Sequence, residues 1–122
     1  MSRARYLIKT MGGINRMIFR PEETIDPNTG ADILQYKLAE MVLGYIQPTN
    51  AVDGVKGIVL RDTLGGDEAI AGYIMYHDEP LCNHDRLEYN GKWYELRQIE
   101  DWESSFMKFW KSYLIEVPNE NQ

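Results

Sequence analysis

Between Asp85 and Trp102 apolar and polar positions alternate on either side of an Asn-Gly pair, in the run DRLEYNGKWYELRQIEDW. Asn90 and Gly91 both tolerate positive φ, so the pattern predicts a β-hairpin closed by a two-residue type I′ turn. That turn sets the register, with Tyr89 opposite Lys92, Leu87 opposite Tyr94 and Arg86 opposite Glu95. Leu87, Tyr94 and Leu96 then share an apolar face, while Arg86 and Glu95 form a charge pair on the other. The expected structural hairpin is therefore Asp85, Leu87, Asn90, Gly91, Tyr94 and Leu96, a half-buried sheet with no catalytic group on it.

Other segments are less decided. Residues Ile33 to Gln47 (ILQYKLAEMVLGYIQ) fit a helix by propensity to about Leu43, yet Tyr36, Leu38, Glu40, Val42 and Gly44 alternate against their neighbours. β-Formers in Val42 to Ile46, Gly44 inside the run and Pro48 at its end favour a strand. Tyr73 to His77 is a compact β-prone run. In Ser104 to Val117, Phe106, Phe109, Trp110, Tyr113, Leu114 and Val117 fall at helical spacing with Ser104 as N-cap. Met107, Phe109, Tyr113, Ile115 and Val117 also alternate, and aromatic and β-branched content tilts the reading to strand. Pro21 to Asp32 concentrates Pro, Asp, Asn and Gly and reads as a surface loop, with a weak strand before it near Met17 to Arg20. Thr49 to Gly72 holds Gly54, Gly57, Gly65, Gly66 and Gly72 around Ile58-Val59-Leu60. It reads either as a working loop at a partner surface or as a floppy connection with one small strand. The expected fold is mainly β: residues 21–122 form a single small antiparallel β-barrel with a long inserted loop, preceded by an arm over residues 1–20.

Charge changes that picture in one respect. The 122 residues include 13 Lys or Arg and 19 Asp or Glu, for a net charge of -6. Residues 1–20 contain Arg3, Arg5, Lys9, Arg16 and Arg20 and no acid, so everything after them carries -11. An acidic body repels phosphate backbones, whereas the basic arm suits contact with DNA, with an acidic partner or with its own domain. Cys82 is the single cysteine, which excludes an intrachain disulfide, and no apolar run approaches the roughly 20 residues of a membrane span. Tyr6-Leu7-Ile8 is too short for a signal h-region, so a reduced cytoplasmic setting without a membrane partner is expected.

Candidate chemistry is sparse. His77, Cys82, His84 and Asp85 are the right residue types for a metal, but structural zinc needs four ligands with a tight pair that this spacing lacks. A Cys82-His84 nucleophile would need an orienting group and an oxyanion pocket. Glu100, Asp101 and Glu103 around Trp102 read as a solvated acidic turn rather than a carboxylate pair across a cleft. Gly65-Gly66-Asp67 lacks the Lys and Ser/Thr of a P-loop, and Gly12-Gly13 lacks the dinucleotide frame. Trp93, Trp102, Trp110 and eight tyrosines suit a core or subunit interface, since stacking platforms for single strands sit in positive grooves. The expectation is a protein that is not an enzyme and uses no cofactor or metal.

The order Gly44-Tyr45-Ile46-Gln47-Pro48, a Gly-bearing loop, Tyr73-Ile74-Met75-Tyr76, the Asp85 to Leu96 hairpin and Ile99-Glu100-Asp101-Trp102 resembles the head-closure, or head-tail joining, proteins of tailed phages and prophages. Asp85, Leu87, Gly91, Tyr94, Leu96 and Ile99 match their hairpin pattern, and Ile46, Gln47 and Pro48 match a strand end. The resemblance covers about residues 42–117. It implies a small β-barrel that joins itself into a ring in the phage neck, between the portal or its adaptor and the tail-terminator or tail proteins. It also implies a place in the virion after assembly in the host cytoplasm. By position it makes Thr49, Asp53, Gly54, Lys56, Gly57, Arg61, Asp62, Gly65, Gly66, Asp67 and Glu68 a candidate channel loop that helps retain packaged DNA without sequence specificity. Arg3, Arg5, Lys9, Arg16 and Arg20 become the candidate docking arm. Residues 1–32 lie outside the match, which leaves a tail-terminator-like neck protein, or a small β-barrel module binding a ligand or single-stranded nucleic acid, as the alternative.

Overall fold

The computed structural model describes residues 3–49, 58–61, 68–103 and 107–118. A short helix, α1 (Arg3–Thr10), leads into β1 (Ile14–Ile25) and β2 (Asp32–Pro48). There follow β3 (Ile58–Arg61), β4 (Glu68–Ala71), β5 (Tyr73–His77), β6 (Arg86–Tyr89), β7 (Lys92–Glu103) and β8 (Lys108–Val117). Six strands form an antiparallel sheet that closes on itself in the order β1-β2-β5-β8-β7-β6, and β3 and β4 pair as a separate ribbon. The ring is sealed at Phe19↔Arg86, where β1 meets β6. Both ambiguous segments are strands, as the β-former content favours.

The inward faces of this sheet supply the core: Ile18, Val42, Ile46, Met75, Leu81, Leu87, Tyr94, Leu96 and Leu114 are all buried. β2 explains why neither period dominated in the sequence. Over Val42–Ile46 both faces are covered, one by the core and the other by α1, so the run reads as continuously apolar rather than alternating. Tyr113 and Ile74 pack with Ala71 in a second cluster, which anchors the root of the β3–β4 ribbon.

The β6–β7 hairpin has the expected register, with Arg86↔Glu95, Leu87↔Tyr94 and Tyr89↔Lys92. Asn90 and Gly91 have φ of 53° and 78°, the geometry a type I′ turn demands.

The N-terminal segment departs from expectation. Ala4 and Ile8, one helical turn apart, are buried, and the helix stops in a Schellman arrangement. Gly13 N donates to Ile8 O and Gly12 N to Lys9 O, with Gly12 at φ 109°. The Gly12-Gly13 pair is thus a helix terminator. The weak strand expected at Met17 to Arg20 is part of a strand of 12 residues, and the boundary drawn after Arg20 falls inside it. The surface loop expected over Pro21 to Asp32 is confined to Asp26–Ala31, because Pro21 to Ile25 pair with Tyr36 to Asp32. Proline is tolerated there because β1 has β2 on one side only at that level.

Candidate functional site

Two surfaces stand out, both apolar and neither anticipated. The first is the far half of the β1–β2 hairpin. A bulge at Ile18/Phe19 leaves Ala39 without a partner, and beyond it the pairs Phe19↔Leu38 to Ile25↔Asp32 run past the closure with β6. Residues two apart share a face, and so do paired residues, so Phe19, Pro21, Glu23 and Ile25 line one face with Leu38, Tyr36, Leu34 and Asp32, a stripe that is apolar at its root and interrupted by Glu23 and Asp32 towards the tip. Its root is packed: Phe19 meets Trp93 edge to face at 5.3 Å, and the Arg86 guanidinium lies 4.1 Å over the Tyr36 ring. Its outer part is bare, with Leu38, Leu34 and Ile25 exposed by 58%, 48% and 69%. The tip is held rigid. Asp26 accepts from Asn28 N (2.9 Å) and Thr29 Oγ1 (3.1 Å), and Asp26 N donates to Ala31 O at 2.8 Å.

The second surface is a pocket of about 160 Å³ where α1 lies against the sheet, with Leu7, Ile8 and Met11 on one wall and Tyr76, Met107 and Phe109 on the other. Leu7 and Met11 are each 44% exposed. The helix over it carries Arg3, Arg5 and Lys9 and no acid.

The candidate docking arm is largely folded onto its own domain. Arg5 pairs with Asp78. Arg16 donates to Gly44 O at 3.2 Å and lies over the Tyr89 ring. Arg20 donates twice to Asp85, at 2.9 and 2.8 Å, and once to Glu40 at 3.1 Å. These bonds, led by that to Asp85, raise the Arg20 pKa and fix its charge. Arg3 and Lys9 are exposed.

Asp85 has no exposure, and besides Arg20 it takes Cys82 N at 2.9 Å. It thereby pins the loop before β6, whose His84 N and Leu96 N bonds tie it to β7. Glu95, also buried, accepts from Arg97 (2.8 and 3.1 Å) and from His84 Nδ1 (3.1 Å). The charge pair expected between Arg86 and Glu95 is a 3.9 Å contact.

Of the candidate channel loop, Asp53, Gly54, Lys56, Gly57, Asp62, Gly65, Gly66 and Asp67 lie outside the described residues. Arg61 and Glu68 are paired in register at the end of the β3–β4 ribbon. Thr49 is buried, its amide donating to Gly72 O at 3.1 Å, and it fastens the root of the excursion. Among the described residues no three His, Cys, Asp or Glu side chains are grouped to hold a metal ion. His77 is buried and bonded to Ser112 and to Glu79 O. Glu100 lies within β7 rather than in a turn, and accepts from Tyr113 Oη and Trp102 Nε1. Among the described residues no helix is long and apolar enough to cross a membrane.

No family model matches this chain, and no curated protein does. Its fold is shared with a solved chain from the virion of a native gene transfer agent particle. The match has a TM-score of 0.55, 7% identity and coverage of 85% of this chain and 94% of that one. The likeness is one of fold, and spans nearly all of both chains.

Proposed function

We propose that this chain is a non-enzymatic structural subunit of a phage or phage-like virion, placed at the neck, where it joins the DNA-filled head to the tail and helps retain the packaged DNA. The observation that carries the reading is the fold common to this chain and a virion component, over 85% of its length. The hairpin and strand-end motifs that resemble head-closure proteins lie on strands of that same ring. A body of net charge -11 suits a surface along which DNA slides without adhering. The Thr49 to Gly72 excursion is the part of the chain offered to the channel, and portal, adaptor and tail-terminator proteins are the neighbours expected on either side.

Deletion of the gene in a particle-producing strain tests this. DNA-filled heads that carry no tails and leak their DNA are expected, together with the protein itself in purified wild-type particles. Normal tailed particles from the deletion strain would overturn the reading.

A further inference from the structure

We infer that the edge of β2 between Asp32 and Leu38 takes an added strand from a different protein. That strand is an extended segment with apolar side chains at alternate positions and a Lys or Arg where it passes the hairpin tip. The inference deepens the virion reading, and rests on it only for placing that protein in the particle. β5 pairs with β2 over Gly44–Pro48 and no further. Asp78 closes the edge just before it: Oδ1 accepts from Leu43 N (3.2 Å), and the Asp78 amide donates to Leu43 O (3.3 Å). From Asp32 to Met41 no described strand lies on that side of β2. Pro21 tells which backbone groups point into the opening. It has no N–H, so its pairing with Tyr36 is of the kind that exchanges no hydrogen bonds, and both residues turn their polar groups away from each other. With a period of two, Leu34 and Leu38 also turn N–H and C=O outward, whereas Ile33, Gln35 and Lys37 bond to β1. The free edge of β1 lacks a donor at Pro21; that of β2 has no proline, and no bulge between Asp32 and Leu38. One edge of the hairpin is blunted and the other is left as a template for pairing.

Charge and side chains select the occupant. Residues 22–32 carry Glu22, Glu23, Asp26 and Asp32 and no basic residue. Glu22 pairs with Lys37 at 3.3 Å, and Asp26 is held in the tip turn. Glu23 and Asp32 are exposed, make no ion pair among the described residues, and share the face of Leu34 and Leu38. A strand added beside β2 therefore meets two bare leucines at alternate positions and two carboxylates toward the tip. Apolar side chains over the leucines and a cation beside Asp32 complete that face, while the main chain supplies the hydrogen bonds. Two copies of this chain meeting by their β2 edges would bring acid to acid, which is unfavourable across paired strands. The hairpin is also pre-organised by the Asp26 turn, so little ordering is lost on docking.

The test adds a blocked peptide, Lys-Val-Thr-Val-Thr-Val-Thr-Lys, to the isotope-labelled full chain and follows amide hydrogen exchange. In the free chain the amides of Ile33, Gln35 and Lys37 should exchange slowly and those of Leu34, Tyr36 and Leu38 fast. Saturating peptide should slow the second set at least about tenfold and leave the first unchanged. Leu34→Pro removes one outward N–H without touching the ladder to β1, and should weaken binding at least about tenfold, with the fold checked by circular dichroism. Asp32→Lys, at an exposed position, is the second variant and tests the charge alone. It should weaken the Lys-ended peptide and tighten the same peptide with Glu at both ends. No slowing of Leu34, Tyr36 and Leu38 up to about millimolar peptide, or slowing only at other amides, would overturn the inference. So would protection of those three amides by raising the concentration of the chain alone, which would make a second copy the occupant. A chain present in purified particles that binds no peptide leaves the virion role standing. A chain that binds peptide as described but is absent from particles does the reverse.

Discussion

At the residue scale, His77 shows how far a reactive residue type can be from a reactive site. A carbonyl only accepts, so its Nδ1–H donates to Glu79 O (2.7 Å), and Nε2 accepts from the Ser112 hydroxyl (2.6 Å). The ring is fully buried and stacked at 6.4 Å on Trp110. Burial is the main reason its pKa falls to about 4, only partly offset by the Glu79 carbonyl, Asp78 and Asp85. The unfolded chain takes up a proton near pH 6.5 while the fold resists it, so His77 leaves stability intact above about 6.5 and removes it as pH falls toward 4. The loss is about 3 kcal/mol, order of magnitude, with no further fall from this residue below pH 4. Urea titrations at several pH values check it: His77→Gln should flatten the slope in that window, and an unchanged slope would refute the assignment. Sequence placed His77 near Cys82 and His84 as a candidate ligand; its true partner, Ser112, is 35 positions away and carries no local signal. Gly91 is the opposite case, fully legible. At φ 78° a β-branched residue is strained, so Gly91→Val should cost about 1–2 kcal/mol more than Lys92→Ala, read as a larger drop in melting temperature.

At the element scale, the loop into β6 depends on one carboxylate reached from the far end of the sequence. Asp85 accepts from Arg20, 65 positions earlier, and Arg20 lies two residues beyond the bulge that frees the hairpin. Arg20→Leu leaves the buried Asp85 carboxylate with the Cys82 amide and no cation, and should cost about 2 kcal/mol, the range of charged hydrogen bonds, discounted because Arg20 is 36% exposed. Chemical denaturation measures it. A double variant with Asp85→Asn should lose less than the two single losses combined, because both remove one interaction. Elements whose signals are local, such as the β6–β7 hairpin, were legible in sequence. Helix α1 was not recognised, although Ala4 and Ile8 at i, i+4 and the Gly12-Gly13 stop were present as its signature. Charge drew attention to the same residues as a docking arm, yet Arg5, Arg16 and Arg20 are largely engaged with acids, carbonyls and rings of the body. Turn-forming residues in Pro21 to Asp32 signal a loop throughout, whereas strand pairing with β2 extends through Pro21 to Ile25.

At the scale of the whole molecule, the main core and the projecting hairpin are different parts of one sheet. The ring closes at Phe19↔Arg86, and none of the buried residues of its main core lies on β1 or β2 beyond that level, between Phe19 and Leu38. Past it, the hairpin exposes Leu38, Leu34 and Ile25 and buries nothing that the core needs. Glu23 and Asp32 lie on the same face, opposite Leu34 and Ile25, and exposed apolar residues rimmed by charge in this way mark interaction surfaces. Removing residues 23–34 and closing the shortened hairpin with Asn-Gly after Glu22 should therefore change stability by less than about 1 kcal/mol, because the Phe19–Trp93 and Tyr36–Arg86 contacts at its root remain. The same deletion should abolish entry into particles. Thermal unfolding and particle composition, measured on one variant, separate the two roles. A large loss of stability would mean that the projecting half belongs to the fold of the single subunit, and the apolar stripe would then need another account.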